Sequence, residues 1–139
     1  MRNTPKRRYL SLSLIVAALA VGAAPATASA DIIVAGEKVS GPGSACEGNN
    51  ASNEHVKVCF QPDGEWLYVR DSAADGRSAF GQISGRDRVC RNSHGSGTWA
   101  RCNYSFREGS AVTFRGYTRD GEGIVNWMRD ETAWNMDLA

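Results

Sequence analysis

Every cysteine in this chain lies behind a leader with the make-up of an export signal, and no other feature limits the fold as much. Arg2, Lys6, Arg7 and Arg8 form a basic start, Leu10 to Ala24 an apolar run broken only by serines and Gly22, and Ala28-Ser29-Ala30 a small-residue cleavage site. The run is shorter than the roughly 18 to 20 residues that a membrane span requires. Residues 1–30 are therefore expected to be removed, by the general secretory or the twin-arginine route, giving a secreted, extracellular chain from Asp31 with no membrane span. In that compartment Cys46, Cys59, Cys90 and Cys102 are expected to persist as two disulfides.

Loss of the leader changes the charge. The whole chain has 16 basic and 15 acidic residues, and the leader removes four of the former and none of the latter, so the remainder carries about −3 with histidine neutral. Such a chain lacks the field that would attract nucleic acid, and no nucleic-acid partner is expected. About 109 residues remain, enough for one domain, expected to act as a monomer. At that size two disulfides usefully supplement the core, each adding roughly 3 kcal/mol by restricting the unfolded chain.

Residues 31–54 are rich in Gly, Ser, Asn and Pro around Gly41-Pro42-Gly43 and read as an irregular lead-in, with Ile32-Ile33-Val34 a short edge strand or a loose terminus. The β domain is expected over 55–139. Val56, Val58 and Phe60 alternate with the two-residue period of a strand, and Glu65 to Arg70 is apolar on both faces, as a central strand should be. Further β-type runs follow at Ser78 to Ile83, Arg88 to Cys90, Trp99 to Cys102, Ala111 to Tyr117 and Gly123 to Met128, with turns such as Pro62-Asp63-Gly64 and Ala74-Asp75-Gly76 between them. No window carries a sustained helical period. The fold class is all-β: a small disulfide-stapled sandwich or barrel of about six to seven short strands.

Three cysteine pairings are possible, and the sequence leaves the choice open. Local pairing, Cys46 with Cys59 and Cys90 with Cys102, is favoured because each pair brackets a Gly- and Asn-rich loop able to double back. The second bridge would then staple a hairpin with its tip at Asn92 to Thr98. Neither spacing matches a zinc knuckle, so no metal and no cofactor is expected.

His55 and His94 are the only histidines, and with a glutamate either could serve a small hydrolase such as a ribonuclease, yet nothing in their spacing enforces it. No catalytic residue is assigned. Asp71 and Asp75-Gly76 have calcium-loop residue types without its alternating oxygens and closing glutamate, and read as ordinary Asx turns. Arg86, Arg88 and Arg101 flank the second cysteine pair, and with Trp127 they form the candidate binding patch if they converge on one face. Trp66 and Trp99 are expected in the core; Trp127 and Trp134 stand where little else is apolar.

The string Ala74-Asp75-Gly76-Arg77-Ser78-Ala79, then Cys90-Arg91-Asn92, Gly95, Gly97-Thr98-Trp99 and Cys102-Asn103, then Glu108-Gly109-Ser110 and Phe114-Arg115, resembles small secreted proteins of streptomycetes and related actinobacteria. That family carries no assigned activity or catalytic residues, so the resemblance implies export and a small β domain and lends no function. From the residues themselves, the leading expectation is a non-enzymatic module binding a protein or a cell-wall glycan. The alternatives are the small hydrolase and a structural protein of the cell or spore surface.

Overall fold

The computed structural model describes residues 31–120 and 128–139, and within them the chain is a β-sandwich. Ten strands run β1 (Ile32–Ala35), β2 (Glu37–Val39), β3 (Ala51–Ser52), β4 (Val56–Gln61), β5 (Trp66–Asp71), β6 (Ser78–Ile83), β7 (Arg88–Asn92), β8 (Trp99–Asn103), β9 (Ala111–Arg119) and β10 (Asn135–Leu138). One sheet has the order β1-β7-β6-β9-β10, the other β2-β8-β5-β4-β3. All neighbours are antiparallel except β1 and β7. Among the described residues the helical content is a single 3-10 turn at Gly43–Cys46. Among the described residues no helix is long and apolar enough to cross a membrane.

The two-residue alternation places Val56, Val58 and Phe60 of β4 and Leu67 and Val69 of β5 inward, where they meet Ala79 and Ile83 of β6 and Val112 and Phe114 of β9. Two glycines set the distance between the layers. Gly81 and Gly116 are cross-strand partners. A Cβ on Gly81 would lie 2.7 Å from a Val69 methyl, and one on Gly116 2.8 Å from a Val58 methyl and 2.9 Å from a Val56 methyl. Their bare backbones form a trough that the valine ridge of the other sheet fills.

The disulfides join Cys46 to Cys59 and Cys90 to Cys102, the local pairing. The second is not a hairpin staple. β7 and β8 belong to different sheets, so residues 93–98 arch across the end of the sandwich and the bridge ties one layer to the other through its interior. Fully buried Asn92 completes that tie: its amide donates to the carbonyls of Val69 and Thr98, and its Oδ1 accepts from His94 N–H and the Thr98 hydroxyl.

The expected irregular lead-in contains β1, β2 and β3, each too short to show a period, and the sandwich begins at Ile32. The chain passes from β1 in one layer to β2 in the other at Gly36, beside Cys90. Cys46 pins the 3-10 turn over the outer face of the second sheet, where Tyr68, Trp66, Trp99 and Val39 make a satellite cluster. Trp66 and Trp99 are thus half-buried on an outer face and not in the central core, because Leu67, Ala100 and Cys102 take the inward positions. The expected leader, most of the run Gly123 to Met128, and Trp127 lie outside the described residues.

Candidate functional site

The three arginines of the sequence patch do not share a face. The Arg101 guanidinium lies 4.0 Å above the Trp66 ring on the outer face of the second sheet, and its Nε donates to Glu37 at 3.0 Å. Arg86 and Arg88 stand instead at one end of the sandwich, over Phe106 at 4.6 Å and Tyr104 at 5.3 Å. The split follows from strand parity. Arg101 alternates with inward-facing Cys102, whereas Arg88 shares the inward parity of Cys90 and reaches the Tyr104 ring only because its strand has arrived at the open end.

Among the described residues neither histidine is paired with a glutamate. His94 Nε2 is 2.8 Å from the Gly36 carbonyl, locking the interlayer arch to the β1–β2 crossing. His55 stands between two aspartates, with Nδ1 3.0 Å from Asp75 and Nε2 3.7 Å from Asp130. Arg77 joins the same carboxylates, at 2.9 Å from Asp130, 3.9 Å from Asp75 and 3.5 Å from Asp120, and the Thr118 hydroxyl donates to Asp130 at 2.7 Å. Partial burial works against the Asp75 anion, yet the Arg77 backbone N–H, the His55 bond and the Arg77 charge together hold its carboxyl below the usual range. The three ligand-type atoms of His55, Asp75 and Asp130 lie within 4.8 Å of one another, but the Arg77 guanidinium already supplies positive charge there. Both imidazole nitrogens face carboxylates, and the arrangement fastens the 72–77 loop to the segment around Asp130.

The feature that stands out is at the other border of the first sheet. β10 pairs with β9 in the register Met136↔Thr113 and Leu138↔Ala111, which turns Met136 and Leu138 to the outer face and, one step on, brings Trp134 opposite Arg115. Trp134, Met136 and Leu138 are 45, 53 and 56 % exposed. Met128, also exposed, adjoins them through Arg115.

Arg115 is held from every side. Its Nε donates to Gln82 at 2.9 Å, one terminal nitrogen to Glu131 at 3.1 Å and the other to the Met128 sulfur at 3.5 Å, while its guanidinium lies 4.6 Å above the Trp134 ring. The exposed indole therefore rests on a fixed platform, as a pre-organised contact residue should.

The free edge beyond β10 is closed. The N–H groups of Met136 and Leu138, which point away from β9, are taken by the side-chain oxygens of Asn135 and Asp137. Asn135 also donates to the Asn50 carbonyl of the facing layer. The donors that another strand would need are thus taken, while the apolar face is left open.

Of these residues the sequence reading singled out Trp134 alone. The alternation Trp134-x-Met136-x-Leu138 was the available signal, too short to separate from chance without the strand that gives it a face. No protein-family model, curated protein or solved structure matches the chain.

Proposed function

We propose that the chain is a secreted, non-enzymatic module that binds another protein through the outer face of β9 and β10. The observation that carries this reading is the row Trp134, Met136 and Leu138, exposed on one face of a strand whose edge is capped, with Arg115 clamped against the indole. A small soluble domain rarely leaves three neighbouring large apolar side chains in water unless a partner covers them. Trp, Met and Arg are also the residue types enriched in protein interfaces, and a rigid Trp–Arg pair is the usual composition of an energetic hot spot.

A protein partner suits this face better than a glycan. A sugar needs hydrogen-bonding groups beside its stacking ring, whereas Met136 and Leu138 offer none, and the polar ends of Arg115 are committed to Gln82 and Glu131. The two disulfides support an extracellular setting.

The test is capture from culture supernatant on the immobilised protein and on its Trp134→Ala variant, with identification of what is retained, alongside retention on purified cell walls. The reading expects a protein retained by the parent and lost by the variant. Equal capture by both contradicts it, and retention on cell walls that depends on Trp134 would make the ligand a glycan.

A further inference from the structure

At the end of the sandwich spanned by the interlayer arch, the β5–β6 connection and residues 93–96 enclose a cleft of about 250 Å³ lined by Asp71, Arg77, Ser78, Ser93, Gly95 and Ser96. It is smaller than the trough of about 520 Å³ beside Pro62, Asn103 and Glu108. In that trough, however, the Glu65 carboxylate accepts Phe106 N–H, the Asn103 amide donates to the Gly64 carbonyl, and the acids Asp63 and Glu108 stand exposed to water. The smaller cleft holds a buried carboxylate.

Asp71 ends β5 with the inward parity of Leu67 and Val69 and is 3 % exposed. Its Oδ1 accepts the Ala73 N–H at 3.3 Å, and no other donor among the described residues reaches the carboxylate. The second oxygen is left to the cleft, at a site where an anion is costly without a partner. Burial, with the Asp75 charge adding to it against the Ala73 bond, pushes the Asp71 carboxyl up, the direction expected of a carboxylate that lacks its counter-ion.

The surroundings fit a cation. Asp75, Asp120 and Asp130 are all partners of the Arg77 guanidinium, and a second guanidinium, that of Arg91, is held at the Ser78 hydroxyl of the cleft wall. Arg77 is thus neutralised by these three carboxylates, and among the described residues no ion pair joins it to Asp71. Ser93 and Ser96 supply hydroxyl acceptors beside Ser78, whose hydroxyl already accepts from Arg91 Nε, and a primary ammonium has three N–H donors to distribute between a carboxylate oxygen and such hydroxyls. Among the described residues the cleft has no aromatic wall on which to stack a sugar or grip a quaternary amine.

We propose that this cleft is a binding site for a primary ammonium group, with Asp71 as the counter-ion and serine hydroxyls completing its hydrogen bonds. The group can come from a free alkylamine or from the lysine of a protein. The site is separate from the β9–β10 face and does not depend on the role proposed for it.

The experiment is titration of the ¹⁵N-labelled, disulfide-bonded protein, followed at the amides of Gly76, Ser78, Ser93, Gly95 and Ser96. The probes are n-butylammonium, Nα-acetyl-lysine amide, tetramethylammonium and calcium chloride. Expected are saturable shifts at these amides with the first two probes and none with tetramethylammonium, which has no N–H. Tighter binding of the lysine derivative points to a protein source, and tighter binding of butylammonium to a free amine. Asp71→Asn keeps an oxygen for the Ala73 N–H and is expected to weaken binding at least tenfold. Should that variant fail to fold, Ser96→Arg, which fills the mouth from an exposed position, is expected to abolish the shifts. Absence of saturable shifts with both ammonium probes, equal response to tetramethylammonium, unchanged binding by the folded variant, or a calcium response that displaces the ammonium probes would overturn the proposal.

Discussion

Asn92 does more for this fold than its size suggests. Four hydrogen bonds converge on one fully buried carboxamide, and they join the end of β7 to β5 and to the arch leading into β8. Truncation to alanine leaves the His94 N–H without its acceptor and takes a second donor from the Val69 and Thr98 carbonyls, while the Thr98 carbonyl still accepts the Asp71 N–H and the Thr98 hydroxyl still donates to Gly95. The stranded donor and the emptied volume each cost about 1 to 3 kcal/mol. Asn92→Ala is expected to lose about 3 kcal/mol in a urea titration, because the arch can admit water to some of these groups. A loss below about 1 kcal/mol would mean that the arch is held by the disulfide alone. Gly116 behaves in the opposite sense, since adding a methyl there pushes into Val56 and Val58. Gly116→Ala should cost about 1 to 3 kcal/mol by overpacking, measured in the same titration, although alanine suits an extended backbone better than glycine does.

Among the elements, the strands from β4 to β9 were legible in the sequence because each combines alternating apolar residues with a glycine or Asx turn at its end. β5 was readable even as a central strand, since Trp66 and Tyr68 on one face and Leu67 and Val69 on the other leave neither side polar. β2 and β3 were not, and β1 was only one of two readings of Ile32-Ile33-Val34, because two to four residues in an edge strand cannot display a period. Sheet membership was equally hidden: Cys90 and Cys102 lie twelve residues apart, a distance that suits a hairpin and an interlayer arch alike, and only the inward parity of both sulfurs distinguishes the two. That ambiguity is why Arg88 and Arg101 were grouped. In the structure they belong to different layers, one above Tyr104 and the other above Trp66. The edge of β10 carries its own prediction. Replacing Asn135 and Asp137 by valine frees the N–H groups of Met136 and Leu138, and sedimentation velocity should then show concentration-dependent association that the parent lacks. A variant that stays monomeric would show that the caps do not guard the edge.

For the molecule as a whole, the titratable groups set two pH limits on stability. Asp75 is more acidic folded than unfolded, so its contribution is present above the unfolded value of about 3.9 and is lost as pH falls through the folded one. Asp71 has the opposite sign: its raised carboxyl makes the anion a burden at neutral pH, and Asp71→Asn is expected to melt no lower than the parent at pH 7. At the alkaline end, burial pushes Tyr104 and Tyr117 up to about 12, against the nearby arginines. Unfolded tyrosine ionises near 10, so the unfolded state gives up these protons first and stability falls as pH rises from about 10 to about 12. Melting temperature followed across that interval should fall, and absorbance near 295 nm should show two tyrosines ionising near the upper end. A flat melting profile would contradict the burial of both rings.

Among the described residues the row on β10 is where large apolar side chains stand together in the open, and the proposed role rests on it. The most direct test is calorimetric titration of the captured partner with the parent and with Trp134→Ala. The account predicts micromolar or tighter binding by the parent and a loss of about 2 kcal/mol, on the order of thirtyfold, in a variant that melts within about 2 °C of it. Equal affinity of the two proteins for the partner would contradict the account.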